Sequence, residues 1–340
     1  MKAQAVAMRR ERTRDEVISV DETTMTDADI IALLGDGALV EPCGGFCEPT
    51  GEGLAMEEES PLLRRFGRTG EYALRLALTE EDRLACWHLV YQEYLALGYT
   101  PVLEEPYRYS IHDALPGTIT LLAEKDGVAV GTVSGIPDSP LGLPADAIYR
   151  DELDAMRARG RRLLEVGRLT IAREYANDRQ ILTNLFDALT IYTRRICQAT
   201  DMVITVNPSH CRYYEGMLLF RKIGVDKALE SVCGAPAVLL ALDMDLEERI
   251  RRYATGEGPK PEEYAGGRSL YRYASNRAQE NECVEQLVQL FRKPELHFLN
   301  KYFVWKRPLL QELSEHGQKM FESWYPGLET DWAVPAAEAV

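Results

Sequence analysis

The stretch Arg162-Leu163-Leu164-Glu165-Val166-Gly167-Arg168-Leu169-Thr170-Ile171-Ala172 decides how the rest of the chain is read. It is apolar enough for a buried strand, yet it carries a carboxylate and a guanidinium three positions apart. Side chains on a regular strand alternate faces, so residues 165 and 168 would point oppositely. Gly167 lies between them, and a glycine inside a strand often marks a bulge. A bulge there would bring Glu165 and Arg168 to the same side. Charges inside a buried strand cost free energy unless they are paired or used. A structural ion pair between the two and a chemical role are both open at this point.

Downstream of this strand, the apolar spacing predicts a long helix over 177–200 and a short buried strand over 202–206. Strand, helix, strand in that order implies a parallel pair joined by a right-handed crossover. Asn207-Pro208-Ser209-His210 turns into a helix reaching Leu219, and 235–242 is the last strand of this unit.

Upstream, 145–159 reads as a charged amphipathic helix ended by Gly160. Asp126-Gly127 between the apolar runs 118–124 and 128–136 predicts a hairpin. A loop over 99–116 carries Tyr107, Tyr109, His112 and Asp113. Before it, a strand over 72–78 leads into Thr79-Glu80-Glu81-Asp82, a capping-box pattern. The helix that follows sets Leu84, Trp87, Tyr91, Tyr94 and Leu95 on one stripe. That stripe suits a packed core, or the lining of an acyl chain.

The predicted organisation is therefore a flexible N-terminal extension over 1–68, with one short helix over 27–34. An α/β domain over 69–245 follows, then a C-terminal helical extension over 246–330 and a tail over 331–340. The extension reads as helices over 247–253, 280–291, 295–305 and 308–324, with a Gly- and Pro-containing linker over 256–267. It offers Phe298, Tyr302, Phe303, Trp305, Phe321 and Trp324, suited to packing on the α/β domain or to covering an apolar tunnel.

The chain has 340 residues, a formal net charge of −15 and a pI near 5.0. An acidic chain of this kind lacks the basic face of a nucleic-acid binder. Its 7 cysteines are an odd number, set mostly among apolar neighbours, which fits reduced thiols rather than a disulfide framework. Cys43 and Cys47 are the only close pair, without a neighbouring ligand set for a metal. No signal-peptide pattern and no apolar run near the roughly 20 residues of a membrane span is evident, so the expected location is cytoplasmic.

Several motifs fall in a telling order: Asp113-Ala-Leu-Pro116 before a strand; Gly131-Thr132-Val133 followed by Asp138-Ser-Pro-Leu-Gly-Leu-Pro144; Glu165-x-x-Arg168-Leu169; Asn207-Pro208-x-His210-x-x-x-Tyr214; Phe220-x-x-Ile223-Gly224; and Ala235-Pro236-Ala237. With the order of elements, this resembles the Gcn5-related N-acetyltransferase (GNAT) superfamily. More narrowly, 72–244 resembles the long-chain N-acyl amino acid synthases of the FeeM type. Acyl-homoserine lactone synthases and acyltransferases of PEP-CTERM/exosortase systems are their relatives. Leu219 departs from the family pattern, which has glycine before the phenylalanine.

The resemblance implies an α/β fold with a GNAT-like mixed central sheet flanked by helices, here with an added C-terminal helical segment. It implies transfer of an acyl group from a pantetheine thioester, lying between the fourth and fifth strands of the family fold, to an amine. Coenzyme A users of this superfamily carry a glycine-rich loop whose N–H groups hold the pyrophosphate. Here that position reads Ala172-Arg-Glu-Tyr-Ala-Asn-Asp-Arg179, with no glycine. Arg173 and Arg179 suit a single phosphate instead, so acyl-carrier protein is the expected donor and an amino acid the expected acceptor. Arg150, Arg157, Arg159, Arg161 and Arg162 are candidates for a local basic patch facing an acidic carrier.

By the same resemblance, Glu165 is the general base, and Arg168 clamps the acceptor's carboxylate or holds Glu165. Tyr214 protonates the leaving thiolate. Asp113, His210, Asn207, Trp87 and Tyr91 are candidate substrate-binding residues: Asp113 for the amine or its own loop, His210 for substrate or its helix end. No cofactor beyond the acyl-phosphopantetheine donor and no metal is expected. Peripheral membrane contact through the product or the C-terminal helices stays open. Two rival readings are an acyl-homoserine lactone synthase-like enzyme and a non-catalytic acyl- or carrier-binding module.

Overall fold

Asp126 and Gly127 both take positive φ, 52° and 78°, and close a two-residue hairpin. It joins β3 (Ile119–Lys125) to β4 (Val128–Pro137). The turn twists with its strands, as a primed turn does. In the computed structural model the described residues are 62–67, 70–264, 271 and 274–330. The expected helix over 27–34, Cys43, Cys47 and the tail over 331–340 lie outside them.

Around this hairpin the sheet runs β1 (Leu62–Phe66), β2 (Tyr72–Leu76), β3, β4, β5 (Leu163–Ile171), β6 (Asp201–Val206), β9 (Ala235–Asp243) and β7 (Arg221–Lys222). The short β8 (Lys227–Leu229) pairs with β9. Neighbours are antiparallel except β5 and β6, which are parallel, as the crossover required. The helices are α1 (Glu80–Ala96), α2 (Asp146–Ala158), α3 (Arg179–Ile191), α4 (Cys211–Leu218) and α5 (Met244–Ala254). After these come α6 (Arg277–Leu290), α7 (Leu296–Leu299, continued by a π-helical turn over Asn300–Lys306) and α8 (Glu315–Trp324). This is a mixed sheet flanked by helices, with helices added at the C-terminal side.

Two starts follow from capping. The Thr79 hydroxyl accepts the Asp82 N–H at 3.2 Å and opens α1. α8 begins seven residues later than the periodicity suggested, because Ser314 is its cap, accepting from the Gly317 N–H at 3.3 Å. Residues 62–66 also differ from expectation. They fall within the stretch read as a flexible extension, yet they form β1, antiparallel to β2. Leu63 and Phe66 are buried, and Arg64 reaches Asp187 at 2.9 Å. The composition upstream hid this strand, since two arginines break its apolar alternation.

One face of the sheet carries α3, which lies directly on β4. A Cβ built on Gly131 would sit 2.6 Å from Ile181 Cγ2, and one on Gly135 2.5 Å from Leu189 Cδ1. The other face carries α1, α2 and the C-terminal rings. Trp87 stacks on Tyr109 at 4.3 Å and meets Phe298 at 5.5 Å and Tyr302 at 5.6 Å. Tyr109 and Tyr325 donate their hydroxyls to the carbonyls of Tyr302 and Ala114. Phe298, Tyr302, Phe303 and Phe321 are thus core partners of the α/β unit, whereas Trp305 is 54% exposed.

A buried charge network ties α5 and α6 to the first face. Asp187 takes Arg251 at 2.5 Å, Arg64 at 2.9 Å and the Ser275 hydroxyl at 2.6 Å. Arg251 also reaches Glu247 at 2.9 Å, and Glu280 pairs with Arg194 and Arg195. Among the described residues, no helix is long and apolar enough to cross a membrane.

Candidate active site

The site is built by an irregularity in β5. Its ladder with β4 shifts between Thr132↔Thr170 and Ser134↔Gly167, so Arg168 and Leu169 together face one β4 residue, Val133. Arg168 takes φ 53°, the left-handed conformation of a bulge residue. The bulge expected beside Gly167 thus falls on Arg168 itself. It swings Arg168 to the face of Glu165, as anticipated. The two do not form an ion pair, however.

Arg168 instead pairs with Asp113, Nη2 to Oδ2 at 2.6 Å, and donates to Ser110 Oγ at 2.8 Å. Asp113 is 2% exposed, on the short 3-10 turn Ile111–Ala114, and its Oδ2 accepts the Ser110 N–H at 2.7 Å. Asp113 therefore stabilises its own loop. The remaining atoms of this pair, Asp113 Oδ1 and Arg168 Nη1, are buried and have no hydrogen-bond partner among the described residues. A buried acceptor and a buried donor left unmatched cost free energy until something fills them.

Glu165 lies beneath the start of α2, its Oε2 accepting the Ala145 N–H at 2.8 Å. Burial pushes its carboxyl up to about 8; Asp146 and Asp138 add to the shift, while the Ala145 N–H and Arg168 oppose it. His112 shares this corner. Burial and Arg168 hold its imidazole down near about 4, against Asp113 and a hydrogen bond to the Gly142 backbone. Asp138 and Asp146 are themselves held by Arg157 at 2.7 Å each.

The parallel ladder between β5 and β6 runs only from Leu163↔Asp201 to Val166↔Ile204. Beyond it β5 follows β4 to Ile171, β6 follows β9 to Val206, and the strands part. Asn207, His210 and Tyr214 follow β6. Asn207 caps its turn, accepting the Ser209 N–H at 3.0 Å, and donates to the Tyr99 hydroxyl at 3.3 Å. His210 is half-buried at the start of α4, and burial lowers its pKa. Tyr214 is buried edge-on to Tyr213 and Phe220, and burial raises its hydroxyl well above the usual phenol range. Leu219, where the family pattern has glycine, caps α4 at φ 63° and packs into the core.

At the end of β5, Arg173 is exposed and its N–H donates to Glu93 at 3.2 Å. Arg179 opens α3. The cap of that helix is Asp178, whose carboxylate takes the Gln180 N–H at 3.0 Å and the Tyr72 hydroxyl at 2.8 Å.

The structure therefore brings Glu165, Arg168 and Asp113 to one corner, with Asn207, His210 and Tyr214 along the end of β6. Trp87 stands apart in the closed aromatic cluster, and the Tyr91 hydroxyl accepts the Leu103 N–H at 3.2 Å. Of the arginines considered for a basic patch, Arg157 is held by Asp138, Asp146 and Asp154, and Arg161 by Asp201 and Asp243. Sequence reasoning did not single out Ser110 or Asp178, and it read Arg157 as part of a basic patch rather than as the partner of Asp138 and Asp146. Ser110-x-x-Asp113 has capping-box spacing, which was the available signal. Among the described residues there is no cluster of three or more His, Cys, Asp or Glu able to hold a metal ion.

Residues 85–243 match the family model described as N-acyl amino acid synthase FeeM. Among solved structures, the chain is similar to FeeM, an N-acyl amino acid synthase from uncultured soil microbes. Identity is 28%, covering 51% of this chain and 90% of that one, with a TM-score of 0.46. It is also similar to the AHL synthase LasI, at 15% identity over 56% of this chain and 98% of that one, TM-score 0.43. An N-acetyltransferase from Staphylococcus aureus Mu50 matches at 14% identity over 51% of this chain and 98% of that one, TM-score 0.35. No curated protein matches the chain.

Proposed function

We propose that this chain, whose residues 85–243 match the FeeM family model, is an N-acyltransferase whose acyl acceptor is an α-amino acid and whose donor is a long-chain acyl group on a carrier protein's phosphopantetheine. The observation that carries the acceptor assignment is the unmatched pair at Asp113 Oδ1 and Arg168 Nη1. A zwitterion supplies what each lacks: its ammonium donates to the carboxylate and its carboxylate accepts from the guanidinium.

In this reading the amino acid binds as ammonium and carboxylate, and Glu165 takes one ammonium proton. The free amine then attacks the thioester carbonyl. A C–N bond forms, the carbonyl oxygen becomes an oxyanion, and N–H groups of the parted β5 stabilise it. The C–S bond breaks as the oxyanion collapses. Tyr214 holds its proton at neutral pH and gives it to the departing thiolate. The second nitrogen proton, released after attack, replaces the proton that Tyr214 gave up, and Glu165 passes its own to solvent.

The donor assignment rests on the α3 terminus. Ala172 to Arg179 has no glycine, and the Asp178 carboxylate already occupies the helix N-terminus. A diphosphate brought there meets a like charge; a single phosphate reaching Arg173 or Arg179 does not need that position.

The test is purified protein with acyl-carrier protein and a panel of amino acids, read by mass spectrometry. An N-acyl amino acid is expected, formed with loss of the thioester. Thioester consumption without any N-acyl amino acid, or no turnover with any amine, would sink the reading.

A further inference from the structure

Among the described residues, Arg108 and Arg307, which lie along the segment leading into Asp113, have no carboxylate of their own. Arg108 lies on the segment between α1 and β3, five residues before Asp113. Its backbone N–H donates to the Trp87 carbonyl at 3.2 Å, and its guanidinium lies 4.8 Å over the Tyr94 ring. Its Nη2 donates across to the Ser231 carbonyl in the turn between β8 and β9. Arg307, from the C-terminal extension, lies 4.7 Å over the Tyr109 ring and donates to the Tyr109 carbonyl at 3.2 Å. Among the described residues, these carbonyls and ring faces are the partners of both guanidiniums, and neither forms a carboxylate ion pair.

The charges around this corner do not cancel. Arg168 is balanced by Asp113, and Asp138 and Asp146 are spent on Arg157. Glu105 is engaged by Lys306. Glu165 is mostly neutral at pH 7, as is His112. Arg108 is partly buried and feels Arg168 and Arg307 as like charges, and burial with those neighbours lowers its pKa. In a chain of net charge −15, the corner that receives the acceptor is thus locally cationic. A partly desolvated guanidinium with two further positive charges in its surroundings is stabilised by an anion. A simple zwitterion adds no net charge and does not supply one.

We infer that the acceptor carries a second acidic group, and that Arg108, supported by Arg307, receives it while Asp113 and Arg168 hold the α-ammonium and α-carboxylate. The substrate class is then the dicarboxylic amino acids. This deepens the acceptor assignment above and rests on it. Arg108 acts on specificity; the proton transfers belong to other residues.

The experiment compares aspartate and glutamate with asparagine and glutamine as acceptors for the full chain, at saturating donor. The acidic member of each pair should show a KM about 10- to 100-fold lower, the range of a charge-assisted contact. That advantage should shrink as salt is raised. Arg108→Gln should raise the KM for glutamate relative to glutamine and largely erase the preference; Arg108→Lys should keep part of it. Three results overturn the inference: no preference for the acidic member, an equal KM rise for both in Arg108→Gln, or a rise confined to the donor. The last would mean that Arg108 meets the donor phosphate. Calorimetric titration of glutamate and glutamine without donor separates this from the reading beneath it. Glutamate binding lost in Arg108→Gln, with no turnover on any amino acid, keeps the anionic subsite and removes the transfer reaction. Turnover without selective glutamate binding does the reverse.

Discussion

Replacing Glu165 with glutamine should change the pH dependence of turnover while leaving the fold intact. The carboxyl is buried and pushed up to about 8, so it is the titrating group on the low-pH side. With that value roughly one-tenth of the molecules carry an ionised Glu165 at pH 7 and roughly nine-tenths at pH 9. If the ionised form is the base, kcat/KM for the free enzyme should climb about tenfold between those pH values. It should then fall where the acceptor loses the ammonium that Asp113 binds. Glu165→Gln should lower kcat on the order of 10²–10⁴-fold and remove the rising limb. The same shift acts on stability. Between the ordinary value of 4.5 and about 8 the folded protein keeps a proton that the unfolded chain has lost, so stability falls as pH rises through that window. The glutamine variant has no such proton, so its melting temperature should drop less between pH 5 and 9 than that of the unsubstituted protein. The assays are initial rates across pH with a fixed donor, and melting curves in the same buffers. A glutamine variant with near-native rates and an unchanged rising limb would refute the base assignment. A variant that loses activity but shows the same pH-dependent melting would refute the burial argument.

Three further outcomes follow from the same geometry. With matched acyl chains, the carrier-protein thioester should give a higher kcat/KM than the coenzyme A thioester, because Asp178 occupies the α3 N-terminus; equal efficiencies would remove that argument. Arg251→Met leaves Asp187 and Glu247 buried with fewer positive partners and should cost about 3–5 kcal/mol in denaturant unfolding; a loss below about 1 kcal/mol would mean that the network is dispensable. Gly135→Ala places a methyl 2.5 Å from Leu189 Cδ1 and 3.1 Å from Ile119 Cγ2, and should cost about 1–3 kcal/mol as α3 is lifted from β4; an unchanged melting temperature would show that the contact relaxes freely.

Local patterns carried much of the fold. The Asp126-Gly127 turn, the Thr79 cap and the strand–helix–strand run around Glu165 each rest on chemistry confined to a few neighbouring residues. They could be read without knowing what packs on them. β1 was missed because its arginines interrupt the alternation, and Arg64 is tolerated there only because Asp187, far along the chain, meets it. The start of α8 was missed for a smaller reason: a serine cap and a proline compete as starting signals, and Ser314 prevails.

The aromatic residues after 290 show the same limit. Their number was plain, but whether they line a tunnel or fill a core depends on what lies opposite. Trp87 and Tyr109 lie opposite, and the rings close on them. In the site, the sequence by itself determined that a carboxylate and an arginine sit on one buried strand, with a break in its regularity between them. It could not determine which residue would take the left-handed conformation, or where each charge would find its counterpart. The register between β4 and β5 put the bulge on Arg168, and the fold carried Asp113 to it, leaving Glu165 with the Ala145 N–H. Strand-forming tendency is a local property of the backbone. The partner of a buried charge is decided by which distant segment packs against it, because only that segment can replace the water that burial removes.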